Sequence, residues 1–146
     1  MWEWALIGEL LLQQSNKKVI QQGWSPKCHR YPAGEGKWGV LKTTAIQPGR
    51  FEPTHNKELP GSLAPRPNIE VQPGDLLITC AGPRSRCGIP ALVRSTPKSL
   101  MLSGKMYRLR PNQRIDPRFL ELYLLSEGVQ KRIDETAAQA MEAQQD

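Results

Sequence analysis

The stretch Val71-Gln72-Pro73-Gly74-Asp75-Leu76-Leu77-Ile78-Thr79 decides the fold. Pro73 holds φ near the value a tight turn needs and Gly74 accepts a positive φ, so the chain turns there before entering a strand. Leu76, Leu77 and Ile78 are consecutive and apolar, which puts hydrophobic side chains on both faces. Such a strand is predicted to be buried and central in its sheet. Beyond a loop at 80–88, the segments 89–93 and 100–109 read as further strands. In the second, Met101, Ser103, Lys105, Tyr107 and Leu109 fall on one face, and Leu102, Met106 and Arg108 on the other. Upstream, residues 19–66 are dense in Gly, Pro and polar side chains, with islands at Trp38-Gly39-Val40-Leu41 and Thr43-Thr44-Ala45-Ile46. These predict strands joined by long loops. Pro48-Gly49 and Pro60-Gly61 are further turn signals, but their flanks differ and the chain is not a repeat.

Asp116-Pro117 reads as a helix start, with Asp as N-cap and Pro in the first turn. Phe119, Leu122, Tyr123, Val129, Ile133, Ala137 and Ala140 follow at helical spacing, and Phe119, Leu122 and Tyr123 are expected to pack on the sheet. The end, 136–146, is Ala, Gln and acid, and reads as the start of a connector. At the other terminus, Leu6, Leu10 and Leu11 predict a short helix or turn.

A chain of 146 residues with 38% hydrophobic content fits one domain and argues against a multidomain enzyme. No run reaches the roughly 18 apolar residues that span a bilayer, and Trp2-Glu3-Trp4 is acidic where a signal peptide starts basic. A soluble, cytoplasmic protein is expected. Cys28, Cys80 and Cys87 are odd in number and irregular in spacing, which predicts reduced thiols.

The net charge of +6 is unevenly spread. Residues 1–75 hold nine basic and seven acidic groups, and 116–146 hold three and seven. Between them, residues 76–115 carry Arg84, Arg86, Arg94, Lys98, Lys105, Arg108, Arg110 and Arg114 without one carboxylate. That segment suits a polyanion, the alternative being a solvated face paired with acids elsewhere.

Gly34-Glu35-Gly36-Lys37-Trp38-Gly39 matches a dinucleotide or kinase glycine pattern. The context fits neither, since no hydrophobic strand precedes it, a β-like segment follows it, and the other kinase motifs are missing. A loop is expected there. Cys28-His29, His55, Cys80 and Cys87 lack zinc-site spacing, and no Ser, Lys or His stands in a nucleophile motif. The loop Cys80-Ala81-Gly82-Pro83-Arg84-Ser85-Arg86-Cys87-Gly88 presents two guanidiniums suited to guanine edges or phosphates, unless its arginines serve a structural turn.

Several segments in order resemble the specificity subunits of type I restriction-modification systems. They are Trp2-Glu3-Trp4-Ala5-Leu6-Ile7-Gly8-Glu9-Leu10, Gly23-Trp24-Ser25-Pro26-Lys27-Cys28, Gly36-Lys37-Trp38-Gly39-Val40-Leu41-Lys42-Thr43-Thr44-Ala45-Ile46, Asn56-Lys57-Glu58-Leu59 and the run from Val71 to Thr79. Gly88 to Val93, Leu100 to Leu109 and the helix from Phe119 continue the pattern. The resemblance implies an α+β target recognition domain, a twisted, mostly antiparallel sheet with flanking helices that ends in a helix, in keeping with the segregated strands above. It also implies a non-catalytic subunit that reads double-stranded DNA and directs methylation subunits and, through them, restriction subunits. Methyl donor and ATP would belong to those partners, so no cofactor and no metal is expected here. The family pattern continues into a spacer helix and a second recognition domain, so 1–146 reads as one domain, with 116–146 its final helix and the start of a connector.

On this reading the DNA contacts are Arg84 and Arg86 on the loop, Lys27, Arg30 and Lys37 in the Gly-rich segment, and Lys42, Arg50, Lys57, Lys98 and Lys105 as phosphate or base partners. The alternative is a basic interaction module that binds an acidic protein without DNA specificity.

Overall fold

The computed structural model describes residues 7–80 and 84–135. Its strands are β1 (Ile20–Gln22), β2 (Gly39–Leu41), β3 (Ile46–Gln47), β4 (Arg50–Phe51), β5 (Asn56–Glu58), β6 (Leu76–Thr79), β7 (Pro90–Leu92), β8 (Leu100–Met101) and β9 (Met106–Leu109), and helix α1 is Pro117–Leu125. A four-stranded sheet has the order β1-β9-β6-β7 and a three-stranded sheet the order β5-β2-β8, while β3 and β4 form a hairpin. All pairings are antiparallel except β2 with β8. This is the expected α+β architecture.

The apolar run of β6 explains the layering. Leu76 aligns with Leu92 and Leu109, and this row joins Leu11, Leu120, Leu124 and Val129 in one core cluster under α1. Leu77 aligns with Ala91 and faces the other way, into a second cluster with Met106 of β9 and with Val40, Leu41 and Met101 from the three-stranded sheet. Period-two alternation thus sends successive leucines to opposite cores, and β6 is inner, as expected.

The outer strand β7 of the four-stranded sheet presents unpaired backbone groups at a buried edge, and these must find partners. At β7, the buried Glu121 of α1 accepts the Leu92 N–H at 2.6 Å, and Gly49 N–H donates to Pro90 O at 3.0 Å. The Gly49 contact comes from the Pro48-Gly49 turn of the β3–β4 hairpin, where Gly49 takes φ +67°.

Three local expectations are corrected. The strand predicted over 100–109 is divided: β8 and β9 belong to different sheets, and a turn at 104–105 separates them. Leu102 donates to Ile69 O and accepts from Trp24 N–H, each at 3.0 Å, so Met101, Leu102 and Ser103 are all buried and face alternation fails there. Thr43–Ala45, read as part of a strand, is a 3-10 turn leading into β3. The final helix is interrupted at Ser126, whose ψ of 148° ends α1, and a second helical stretch occupies 127–135.

That break resets the helical phase. Asp116 caps α1 as predicted, its Oδ1 accepting from Arg118 N–H at 2.9 Å. The buried face of α1, however, is Leu120, Glu121 and Leu124, while Phe119 and Leu122 are 66% and 65% exposed. The expectation that Phe119 and Leu122 pack on the sheet is therefore overturned. Tyr123 and Ile133 are partly buried beside Val129, as their spacing suggested. Ala137, Ala140, Leu6 and the Trp2-Glu3-Trp4 segment lie outside the described residues, whereas Leu11 is buried and bridges to Pro111. No helix among the described residues is long and apolar enough to cross a membrane.

Candidate nucleic-acid interface

β2 and β5 pair with Val40 opposite Lys57 and Leu41 opposite Asn56, and the chain leaves β2 directly into Lys42 and Thr43. Alternation along β5 places Lys57 and Glu58 on opposite faces. Glu58 turns toward the Gly-rich loop, where its Oε1 accepts from Gly34 N–H at 3.0 Å. Lys57 turns into a cleft of about 290 Å³ floored by Val40 and Leu41 and walled by Ser25, Pro26, Cys28, Lys42, Thr43, Ser103 and Lys105. The 102–105 crossing that broke the expected strand carries Ser103 and Lys105 to this cleft. Gly104 N–H donates to Ser25 Oγ at 2.8 Å, joining that crossing to the 23–28 segment.

Lys42, Lys57 and Lys105 are exposed, and none of them forms a salt bridge with a described carboxylate. Burial pushes the Cys28 thiol pKa up, and the Lys57 charge works against that rise, which places the two side chains in one electrostatic neighbourhood. Three of the ten predicted contact residues are thus brought together from three parts of the chain.

The Gly-rich segment is a loop, as expected, and it leads into β2 instead of a helix. Asn56 Oδ1 accepts from Ala33 N–H at 2.8 Å, and a Cβ on Gly39 would lie 2.7 Å from that same oxygen, so this position requires glycine. Along the loop Lys27, Arg30 and Lys37 are exposed, and the rings of His29 and Tyr31 stack with centroids 4.9 Å apart.

Arg86 occupies a different place from the one the sequence suggested. Its Nη2 donates to Thr43 O and Ile46 O, both at 2.9 Å, so the guanidinium braces the 3-10 turn that forms one cleft wall. Arg86→Ala is expected to reduce stability by about 1–3 kcal/mol, because it removes the side-chain donor from Ile46 O and leaves Thr43 O with the Ile46 N–H alone. Urea denaturation reads this, and a change under about 0.5 kcal/mol would show that the brace is dispensable.

No family model matches the chain. Over 108 residues it is 45% identical to the type I restriction enzyme EcoEI specificity subunit of Escherichia coli. The chain is a relative of type I specificity subunits. The aligned residues make up 73% of this chain and 17% of that subunit, so the chain matches a small part of its relative's length. The kinship bears out the resemblance carried by the ordered segments.

In this relative of the specificity subunits, the remaining predicted contacts are scattered. Arg50 is exposed and pairs with Glu52 at 3.0 Å, and Lys98 is exposed on the loop between β7 and β8. Arg84 opens a 3-10 turn at Arg84–Arg86. The positive field expected over 76–115 is partly cancelled by the pairing with acids elsewhere that was its alternative. Arg108 is fully buried, Arg110 Nε meets Asp75 Oδ1 at 2.8 Å, and Arg94 lies 3.7 Å from Glu121. Sequence reasoning missed the hydroxyls of Ser25, Thr43 and Ser103. The one signal available was that Ser103 and Lys105 are two apart in an apolar run.

Proposed function

We propose that the chain is a single recognition domain that reads a sequence in double-stranded DNA, as part of a type I specificity subunit. The observation that carries this is the convergence of Lys42, Lys57 and Lys105, unpaired with any described carboxylate, around one cleft. Kinship to a specificity subunit supports the same reading. On this proposal the domain is non-catalytic and acts in the cytoplasm. It directs methylation by one kind of partner subunit and restriction by another, and residues 116–146 are its final helix and the start of a connector. Arg30, Lys27 and Lys37 on the Gly-rich loop, with Arg84, are the further base-edge or phosphate contacts of this proposal.

Binding to duplex DNA should be strongly salt-dependent. If about four to six phosphates are neutralised, log K falls against log salt with a slope of about −4 to −5. Fluorescence anisotropy with labelled duplexes measures the slope, and a flat response would favour the acidic-protein partner. Selection from a random duplex pool in the presence of the cognate methylation subunit then identifies the target, and enrichment of no sequence would refute the reading role.

A further inference from the structure

The cleft sets hydroxyls and positive charge around an apolar floor of Val40 and Leu41. Ser25 Oγ accepts from Gly104 N–H at 2.8 Å and Ser103 Oγ from Lys105 N–H at 3.2 Å. Each hydroxyl is thereby oriented by the backbone as an acceptor, which leaves its own proton to donate elsewhere. Ser103 is 6% exposed, so its orientation is set by the surrounding fold. The Arg86 brace on Thr43 O and Ile46 O holds the third hydroxyl-bearing wall. Around these hydroxyls stand Lys42, Lys57 and Lys105, none of them in a salt bridge with a described carboxylate, an arrangement that suits a bound anion.

We propose that this cleft is an oxyanion pocket that seats one phosphate of a DNA strand, with Lys42, Lys57 and Lys105 supplying charge and Ser25, Thr43 and Ser103 donating hydrogen bonds. It holds the backbone in register and does not read bases. Lysine is a compact point charge without the planar fork that discriminates base edges, and charge of this density favours an ionised phosphate over any neutral base. The volume of about 290 Å³ has room for a phosphate group with part of an adjoining sugar. This assignment rests on the DNA-reading function proposed above.

Cys28 lines the cleft and serves as a built-in reporter. Its alkylation by iodoacetamide, followed by peptide mapping, can be compared with that of Cys80 and Cys87 in the same sample. Inorganic phosphate, against chloride at matched ionic strength, should slow modification of Cys28 alone, and duplex DNA should do the same. Lys57→Ala and Lys105→Ala should each weaken that protection. Each should lower affinity for target and scrambled duplexes by the same factor, about five- to tenfold at 0.1 M salt, and make the salt slope shallower by up to about 0.9, the full contribution of the one phosphate that the three lysines share. Loss of target preference in either variant would overturn the proposal by making the cleft a base reader. Absence of protection by both phosphate and DNA would overturn it by removing the anion site. Protection by phosphate in a protein that binds no duplex would refute the DNA-reading function and the backbone assignment together, leaving a pocket for a free phosphate. Duplex binding with Cys28 unprotected would refute the pocket alone.

Discussion

Arg108→Ala is expected to destabilise the fold by about 3–5 kcal/mol, the range for removing one partner of a buried charged network. Arg108 stands on β9 opposite Leu77, in the row that faces the larger core, with no exposed surface. Its Nε donates to Gln14 Oε1 at 2.7 Å, its Nη1 to Glu70 O and its Nη2 to Asn68 O, both at 2.9 Å. Gln14 returns a bond from Nε2 to Arg108 O at 2.8 Å. Asp75 lies 4.0 Å from Nη1 and is shared with Arg110. Burial, reinforced by the Arg110 charge and opposed by Asp75, lowers the Arg108 pKa to about 10, so the group stays charged at neutral pH. Its removal leaves three acceptors without their donor and a void between the sheet and the 67–70 turn. Urea denaturation at constant slope measures the loss, and a value below about 1 kcal/mol would mean that water replaces the guanidinium. Arg108→Lys should not rescue it, because one ammonium cannot reproduce the fork toward three separated acceptors.

Leu120→Ala should cost about 2–5 kcal/mol and Leu122→Ala no more than about 0.5 kcal/mol. The two residues share one short helix, but Leu120 is 1% exposed within the Leu76–Leu92–Leu109 cluster and Leu122 is 65% exposed. Paired denaturation curves decide this. Equal losses would mean that α1 is rotated about its axis from the orientation described here.

The helix shows where sequence reasoning succeeds and where it stops. Asp116-Pro117 marks the start correctly because capping is a property of neighbouring residues. The buried face was misread because the apolar positions were fitted to one uninterrupted helix. Ser126 breaks the helix, and its Oγ lies 3.4 Å from Val129 N at the beginning of the next stretch. Leu120 and Leu124 pack in one phase before the break, and Val129 packs in another after it. Nothing in local periodicity requires that Glu121 be buried; its burial follows from the free N–H of Leu92 on β7.

The site divides in the same way. Lys42 was legible as the residue between two strand islands, Lys57 as part of a segment that resembles the specificity subunits, and Lys105 as part of a carboxylate-free segment. Their convergence was not legible, because it depends on the 102–105 crossing and the bond from Gly104 to Ser25, 79 residues away in sequence. Arg86 and Arg108 looked like the same kind of residue as Lys105, and only their acceptors distinguish them.

By itself the sequence determined the Pro-Gly turns, the doubly apolar β6, the capped final helix, the α+β class and the kinship to specificity subunits. Those features depend on residues a few positions apart, or on an ordered set of short segments. Tertiary structure alone decided which cations remain free to meet an anion. The acceptors of Arg108 lie 38, 40 and 94 residues from it, and those of Arg86 lie 40 and 43 residues away. Whether a buried or half-buried guanidinium is a structural tie or a surface charge is set by carbonyls that only folding brings within reach.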